Sequence, residues 1–158
     1  MERFGIVAFA FGYRKDGPGT SNRALARVVE RLMIDYPDAV VVLQHEILDC
    51  LYGFPHSKRI HFVRWHKNSG QYLDSEEVMR QAAEYFNEAY VKKIFIVAQP
   101  FLHLHECISL AKQSGFEPVV PTKMKIPFDK QSEQEWTRSR TKLLAYAIKQ
   151  KLLNQRGK

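Results

Sequence analysis

Cysteine is scarce in this sequence: 158 residues hold two, Cys50 and Cys107, far apart and in no metal-like spacing. So few thiols exclude a disulfide framework and a cysteine-ligated zinc module, and they fit reduced thiols in a cytoplasmic protein. Long apolar runs are missing too. No stretch approaches the roughly 18 residues that would span a bilayer. The chain starts Met1-Glu2-Arg3 and enters a strand-like segment with no signal-peptide core or cleavage site. Acidic residues fall short of basic ones, 17 against 24, for a formal net charge of +7. The surplus is local: residues 131–158 hold seven Lys or Arg and two Glu, and the preceding 130 residues are nearly balanced. No aromatics interleave with those cations and no reading motif is present, so nucleic acid is not an expected partner. What is present is a globular composition, 45% apolar and 26% charged. That suits one domain over residues 1–158 that buries its own core, with a basic C-terminal helix (131–158) packed on it. Nothing in the pattern indicates an oligomeric state or a cofactor.

The apolar segments are short and evenly spaced. Residues 4–11 (FGIVAFAF) and 39–43 (AVVVL) are continuous apolar runs of the kind buried on both faces of a parallel sheet. Residues 59–65, 93–98 and 116–120 complete a set of five, the first of these less apolar and nearer an edge. Helical periodicity fills the gaps. Thr20 or Ser21 is the expected cap of the first helix, which runs to about Asp35 with Leu25, Val28, Val29 and Leu32 inward. A short helix is allowed after residue 44, and Gly53 and Pro55 mark turns. Asp74 with Glu77 forms a capping box before Val78, Ala82, Phe86 and Tyr90. Gly115 ends the helix that Pro100 introduces. The last helix is expected over about 133–155, with Leu144, Ala147, Ile148 and Leu152 inward. Strand alternating with helix predicts a three-layer α/β/α sandwich on a mainly parallel, Rossmann-like five-stranded sheet.

In such sheets ligands bind beyond the carboxyl ends of the strands, where strand order reverses. Residues at those ends are therefore the candidates. After strand one, Gly12, Arg14, Lys15 and Gly17 sit in a glycine-rich loop before a helix N-terminus. Backbone N–H groups, two cations and a helix end are the parts of an anion site. After strand two come Gln44 and His45, after strand three Asn68 and Ser69, and after strand four Gln99 and His103. Four of the six histidines (His45, His66, His103, His105) fall at these ends. His103 and His105 cannot both point one way on a helix, because residues two apart lie about 200° apart, so a metal site is a remote expectation. No Gly-Lys-Ser/Thr closes the first loop, no dinucleotide fingerprint follows Gly12, and no Gly-x-Ser-x-Gly elbow occurs.

Together these segments resemble the family of unknown-function domains that includes the YdcF, SanA and ElyC proteins. The matching positions are Gly12, Gly17, Leu25 and Arg27, residues 69–77, residues 94–98 with Gln99 and His103, residues 111–119, and the helix around 136–145. The resemblance departs at several points: the family's Ser-Gly-Gly after strand two is here Leu43-Gln44-His45, and its Asn-Thr pair is reduced to an Asp74-Ser75 counterpart. Its Arg after the histidine falls on His105 or Glu106, and its common N-terminal membrane segment has no counterpart. The resemblance implies a divergent, soluble member. A weaker similarity to small cobalt or nickel chelatases fails at strand one, where their histidine would fall near Gly12 or Tyr13.

The expected function is a pocket for a small anionic ligand, phosphate-bearing or nucleotide-like, at the C-terminal edge of the sheet, with binding, hydrolysis or group transfer as the outcome. Arg14 or Lys15 would supply charge, Arg27 could hold the loop, and His103 would do acid–base work. The alternative is a non-catalytic interaction protein that docks through its basic last helix. The remote alternative is a metal-binding or chelatase-like protein built on the histidines.

Overall fold

The computed structural model describes residues 2–53 and 57–157, so Pro55 lies outside the described residues. Strands β1 (Phe4–Ala8), β2 (Val40–Gln44), β3 (Ile60–Val63), β4 (Lys93–Val97) and β5 (Glu117–Val119) form one sheet in the order β3-β2-β1-β4-β5. Every pairing is parallel; Val7 aligns with Val42 on one side and Ile96 on the other. Helices α1 (Thr20–Asp35), α2 (His45–Leu48), α3 (Ser75–Glu88), α4 (His103–Gln113) and α5 (Arg140–Arg156) complete the chain, with a 3₁₀ turn at Glu135–Thr137. From β3 the chain crosses to the far side of β1 to form β4, so right-handed crossovers must put α1 and α2 on one face and α3 and α4 on the other.

The core divides that way. Ile6, Ala8, Val41, Leu43, Phe95 and Val97 face Leu25, Val29, Met33 and Ile47. Val7, Phe9, Val42, Ile94 and Ile96 face Val78, Ala82, Phe86, Cys107 and Ala111. Alternation along each central strand thus feeds two apolar layers, which is why those strands read as unbroken apolar runs. At Gly5 a Cβ would lie 2.7 Å from the Phe86 ring, so its absence lets α3 press onto β1. Among the described residues no helix is long and apolar enough to cross a membrane.

Several local expectations change. Strand β1 ends at Ala8, short of residue 11. Phe9 N still donates to Val97 O, but Ala10 N turns to the Gln44 side chain (2.9 Å) and Phe11 N to that of Asn22 (2.8 Å). Gly19, with no side-chain cap, is the N-cap of α1; the Ser21 hydroxyl instead donates to Pro127 O at 2.6 Å. Asp74 does cap α3, accepting from Glu77 N at 2.9 Å. Glu77 does not return the bond, because its carboxylate takes Lys67 N and the Arg80 and Gln81 side chains. Tyr90 lies beyond α3, at φ +56°, and is 89% exposed. Gly115, at φ +86°, closes α4, with Phe116 N donating to Ala111 O.

The largest change is at α5. It starts at Arg140, because residues 135–137 form the 3₁₀ turn, and Ser139 caps it by accepting from Lys142 N. Leu143 is its one buried residue, whereas Leu144, Ile148 and Leu152, expected inward, are exposed. Helix register is set by Leu143 and by the Tyr146 ring, which stacks on Trp136 at 4.6 Å, and that turns the Leu144 line outward.

Candidate functional site

The strand order reverses between β1 and β4, and a cleft of about 630 Å³ opens there at the carboxyl edge. Ala10, Phe11 and Gly12 form one wall, Leu102, His103 and Glu106 of the α4 start another, and Asp74 and Ser75 of the α3 start a third. The remaining wall is Trp136 and Thr137 with the inner side of α5: Leu143, Tyr146, Ala147, Gln150 and Asn154. A shallower recess of about 320 Å³ continues past Gln44 and Tyr72 to His45, Glu46 and His66.

At the centre, Ser75 Oγ lies 2.9 Å from His103 Nε2. The imidazole packs against the rings of Phe9 and Phe11, with centroids at 6.2 and 5.6 Å. Its Nδ1 is buried and has no hydrogen-bond partner among the described residues. This apolar enclosure pushes the His103 pKa down to about 4, so the ring is neutral at physiological pH. Cys107, one turn along α4, is fully buried beside Ser75, and burial raises its thiol well above the ordinary range. Leu102 enters α4 at φ +65°, a strained conformation for a residue with a Cβ, immediately before His103.

Among the described residues that line the cleft there is no Lys or Arg. Its charged groups are Asp74 and Glu106, and burial and then Asp74 raise the Glu106 pKa.

The glycine-rich loop has a different occupant. The Asp129 carboxylate, 1% exposed, receives both arms of the Arg14 guanidinium, Nε at 2.8 Å, together with Gln131 N at 3.1 Å. It also accepts a backbone hydrogen bond from Thr20, in the first turn of α1. Arg14 above all holds the Asp129 pKa low, and the hydrogen bond to Asp129 raises that of Arg14. At Gly19 a Cβ would collide with Asp129. At Gly12, φ +84°, it would sit 2.9 Å from Ser132 Oγ and 3.0 Å from Thr137 Oγ1. Tyr13 N donates to Ser132 Oγ at 3.0 Å, and Glu133 N donates to Tyr13 O at 2.7 Å. The parts of an anion site are therefore real, and the chain's own carboxylate fills it. Composition pointed to the site; Asp129, Ser132 and Thr137 lie over 100 residues away and carried no local signal.

The other candidates divide. Gln44 and Gly12 line the cleft, although Gln44 Oε1 is engaged by Ala10 N. His45 lines the recess, its Nδ1 3.2 Å from Glu46. Lys15 and Gly17 are exposed on a dimple with Arg14 that adjoins the recess at Tyr13, His45 and Glu46. Asn68 and Ser69 are exposed and line neither cleft nor recess, because the Lys67 N bond to Glu77 turns that loop over α3. Gln99 is 2% exposed and braces backbone, accepting from Phe101 N at 2.7 Å and reaching Ile126 O. Arg27 does not hold the first loop; it binds Cys50 O, Glu30 and the Tyr52 ring. Among the described residues no group of three or more His, Cys, Asp or Glu side chains is placed to hold a metal ion. The chain matches no protein-family model, and no curated protein matches it.

Proposed function

We propose that the switch-point cleft binds a small polar ligand and that Ser75 and His103 act on it, in a hydrolase or group-transfer reaction at an electrophilic carbon. The observation that carries this is the 2.9 Å contact between Ser75 Oγ and His103 Nε2 inside the cleft. A neutral imidazole can accept the hydroxyl proton as the oxygen attacks, the geometry of an activated nucleophile. As the carbon's bond to its leaving group breaks, Nε2 passes that proton to the departing atom; Nε2 then takes a proton from water or a second substrate as its oxygen attacks the group on Ser75, and returns it to Ser75 Oγ as that bond breaks. The unpartnered Nδ1 gives the imidazolium no carboxylate support, so the pair suits a reactive ester or acyl group better than an amide.

Charge narrows the ligand. With Asp74 and Glu106 in the cleft lining, no Lys or Arg there among the described residues, and Arg64 lining only the adjoining recess, a phosphate-rich molecule meets little counter-charge in the cleft, and Arg14 is already bound to Asp129. The supported form of a nucleotide-like ligand is therefore a nucleoside-like or other planar, weakly charged molecule, its ring against Tyr72, Trp136 and Tyr146.

A fluorophosphonate probe tests the reaction directly. It should label Ser75, fail on Ser75→Ala and react at least tenfold more slowly with His103→Gln. In parallel, thermal shifts with nucleosides should exceed those with inorganic phosphate or nucleoside triphosphates. An unlabelled wild-type protein that no nucleoside stabilises would overturn the reading.

A further inference from the structure

Helix α5 has two apolar faces, and the fold covers one. Leu143 and Ala147 look toward the domain with Gln150 and Asn154. Leu144, Ile148 and Leu152, four apart and so in one line along the helix, are 46%, 53% and 54% exposed. At 100° per residue, Lys151 borders that line on one side, and Lys149 and Arg156 border it on the other. Residues 140–156 contain five Lys or Arg and no Asp or Glu. Arg140 and Lys142 are engaged by the Phe101 ring and by Glu135. Among the described residues no carboxylate pairs with Lys149, Lys151 or Arg156.

We propose that this outer face docks on an anionic lipid surface, with the helix lying in the plane of the headgroups. Aliphatic side chains in a row with cations along both borders match such a surface. The apolar row enters the acyl boundary while the Lys and Arg stems reach back to the headgroups. A lipid surface supplies negative charge on both sides of the row, where a protein groove would need two acidic rims. A second copy fits poorly: antiparallel pairing centred on Ile148 sets Arg140 against Arg156, and parallel pairing aligns Lys149 and Lys151 with their own copies. The proposal is independent of the chemistry at Ser75.

The test is flotation of the full chain with vesicles of phosphatidylcholine alone and of an equimolar mixture with phosphatidylserine. Binding is expected to the mixture only, weakening as salt rises, with about a fivefold change in partitioning for each unit of charge removed. Lys149→Glu with Lys151→Glu should abolish it. Ile148→Ser should weaken it more than tenfold with the melting midpoint unchanged, since all three side chains are exposed. Equal binding to both vesicles, binding to neither, or full binding by the charge-reversed variant would overturn the proposal. So would a dimer in sedimentation that Ile148→Ser dissolves, because the face would then be an interface between copies.

Discussion

The loop after β1 and the paired starts of α3 and α4 border the same cleft, yet they are finished differently. In the loop the inward polar groups meet partners within the chain: Arg14 and the α1 start meet Asp129, and the Tyr13 backbone meets Ser132 and Glu133. Across the cleft, His103 Nδ1 has none and Leu102 holds a strained conformation. Saturated polar clusters rigidify; unsatisfied ones and local strain gather where chemistry occurs. The glycine-rich stretch, the more conspicuous in sequence, is thus the joint, and the plainer Asp-Ser and Leu-His dipeptides are the candidate working parts.

The strongest way to break that contrast is through stability. Asp129→Ala strands the Arg14 charge and empties the α1 start, at an expected cost of about 3–5 kcal/mol. Gly12→Val forces a Cβ into Ser132 and Thr137 at a positive φ and should cost about as much as an overpacked core site, roughly 2–3 kcal/mol. Urea titrations measure both, and a loss below 1 kcal/mol in either would mean that the loop is no joint.

Acid sharpens the contrast next. The folded pKa of His103, about 4, lies below the ordinary histidine value. Between about pH 6.5 and 4 the unfolded chain therefore takes up a proton that the folded one refuses, and stability falls as pH falls through that window. The loss should be on the order of 3 kcal/mol and shrink in His103→Gln to what His61, also lowered by burial, contributes. Glu77, held by Arg80 at a pKa of about 2, contributes above its unfolded value near 4.3 and loses that contribution only as pH drops toward 2. The two windows separate, so a single unfolding series at stepped pH distinguishes them; a His103→Gln variant with an unchanged upper window would refute the assignment.

Smaller effects complete the comparison. At neutral pH, Ser75→Ala should change stability by less than about 1 kcal/mol while removing probe labelling. Lys15→Ala, on the exposed part of the loop, should fall within about 0.5 kcal/mol of wild type and leave ligand-induced thermal shifts as they were. A Lys15 variant that lost ligand binding would return the site to the loop.

Much of the fold was legible because its signals are local. Apolar runs marked β1, β2 and β4, and Asp74 and Gly115 punctuated α3 and α4 as their chemistry requires. His103 was legible as a polar group beyond a strand end. Its partner was not: Ser75 reads as one more residue of a helix start, and only the reversal of strand order brings it to α4. The strand-end rule also selected Asn68, Ser69 and Gln99, because it identifies an edge without saying which way a side chain turns there. For α5 the difficulty was having two apolar faces, since periodicity alone does not reveal which one the domain keeps.

The joint between the first loop and residues 129–137 spans 115–119 positions of sequence, and that separation orders assembly in time. Strands β1 to β5 and their crossovers are complete by Val119, so most of the two-layered core can condense before the segment that follows β5 is in place. Until Asp129 arrives, Arg14 and the first turn of α1 lack their anion, and the loop cannot take its final course. The cleft therefore takes shape after the sheet, and a released chain ending near residue 125 would carry a sheet with an unfinished mouth.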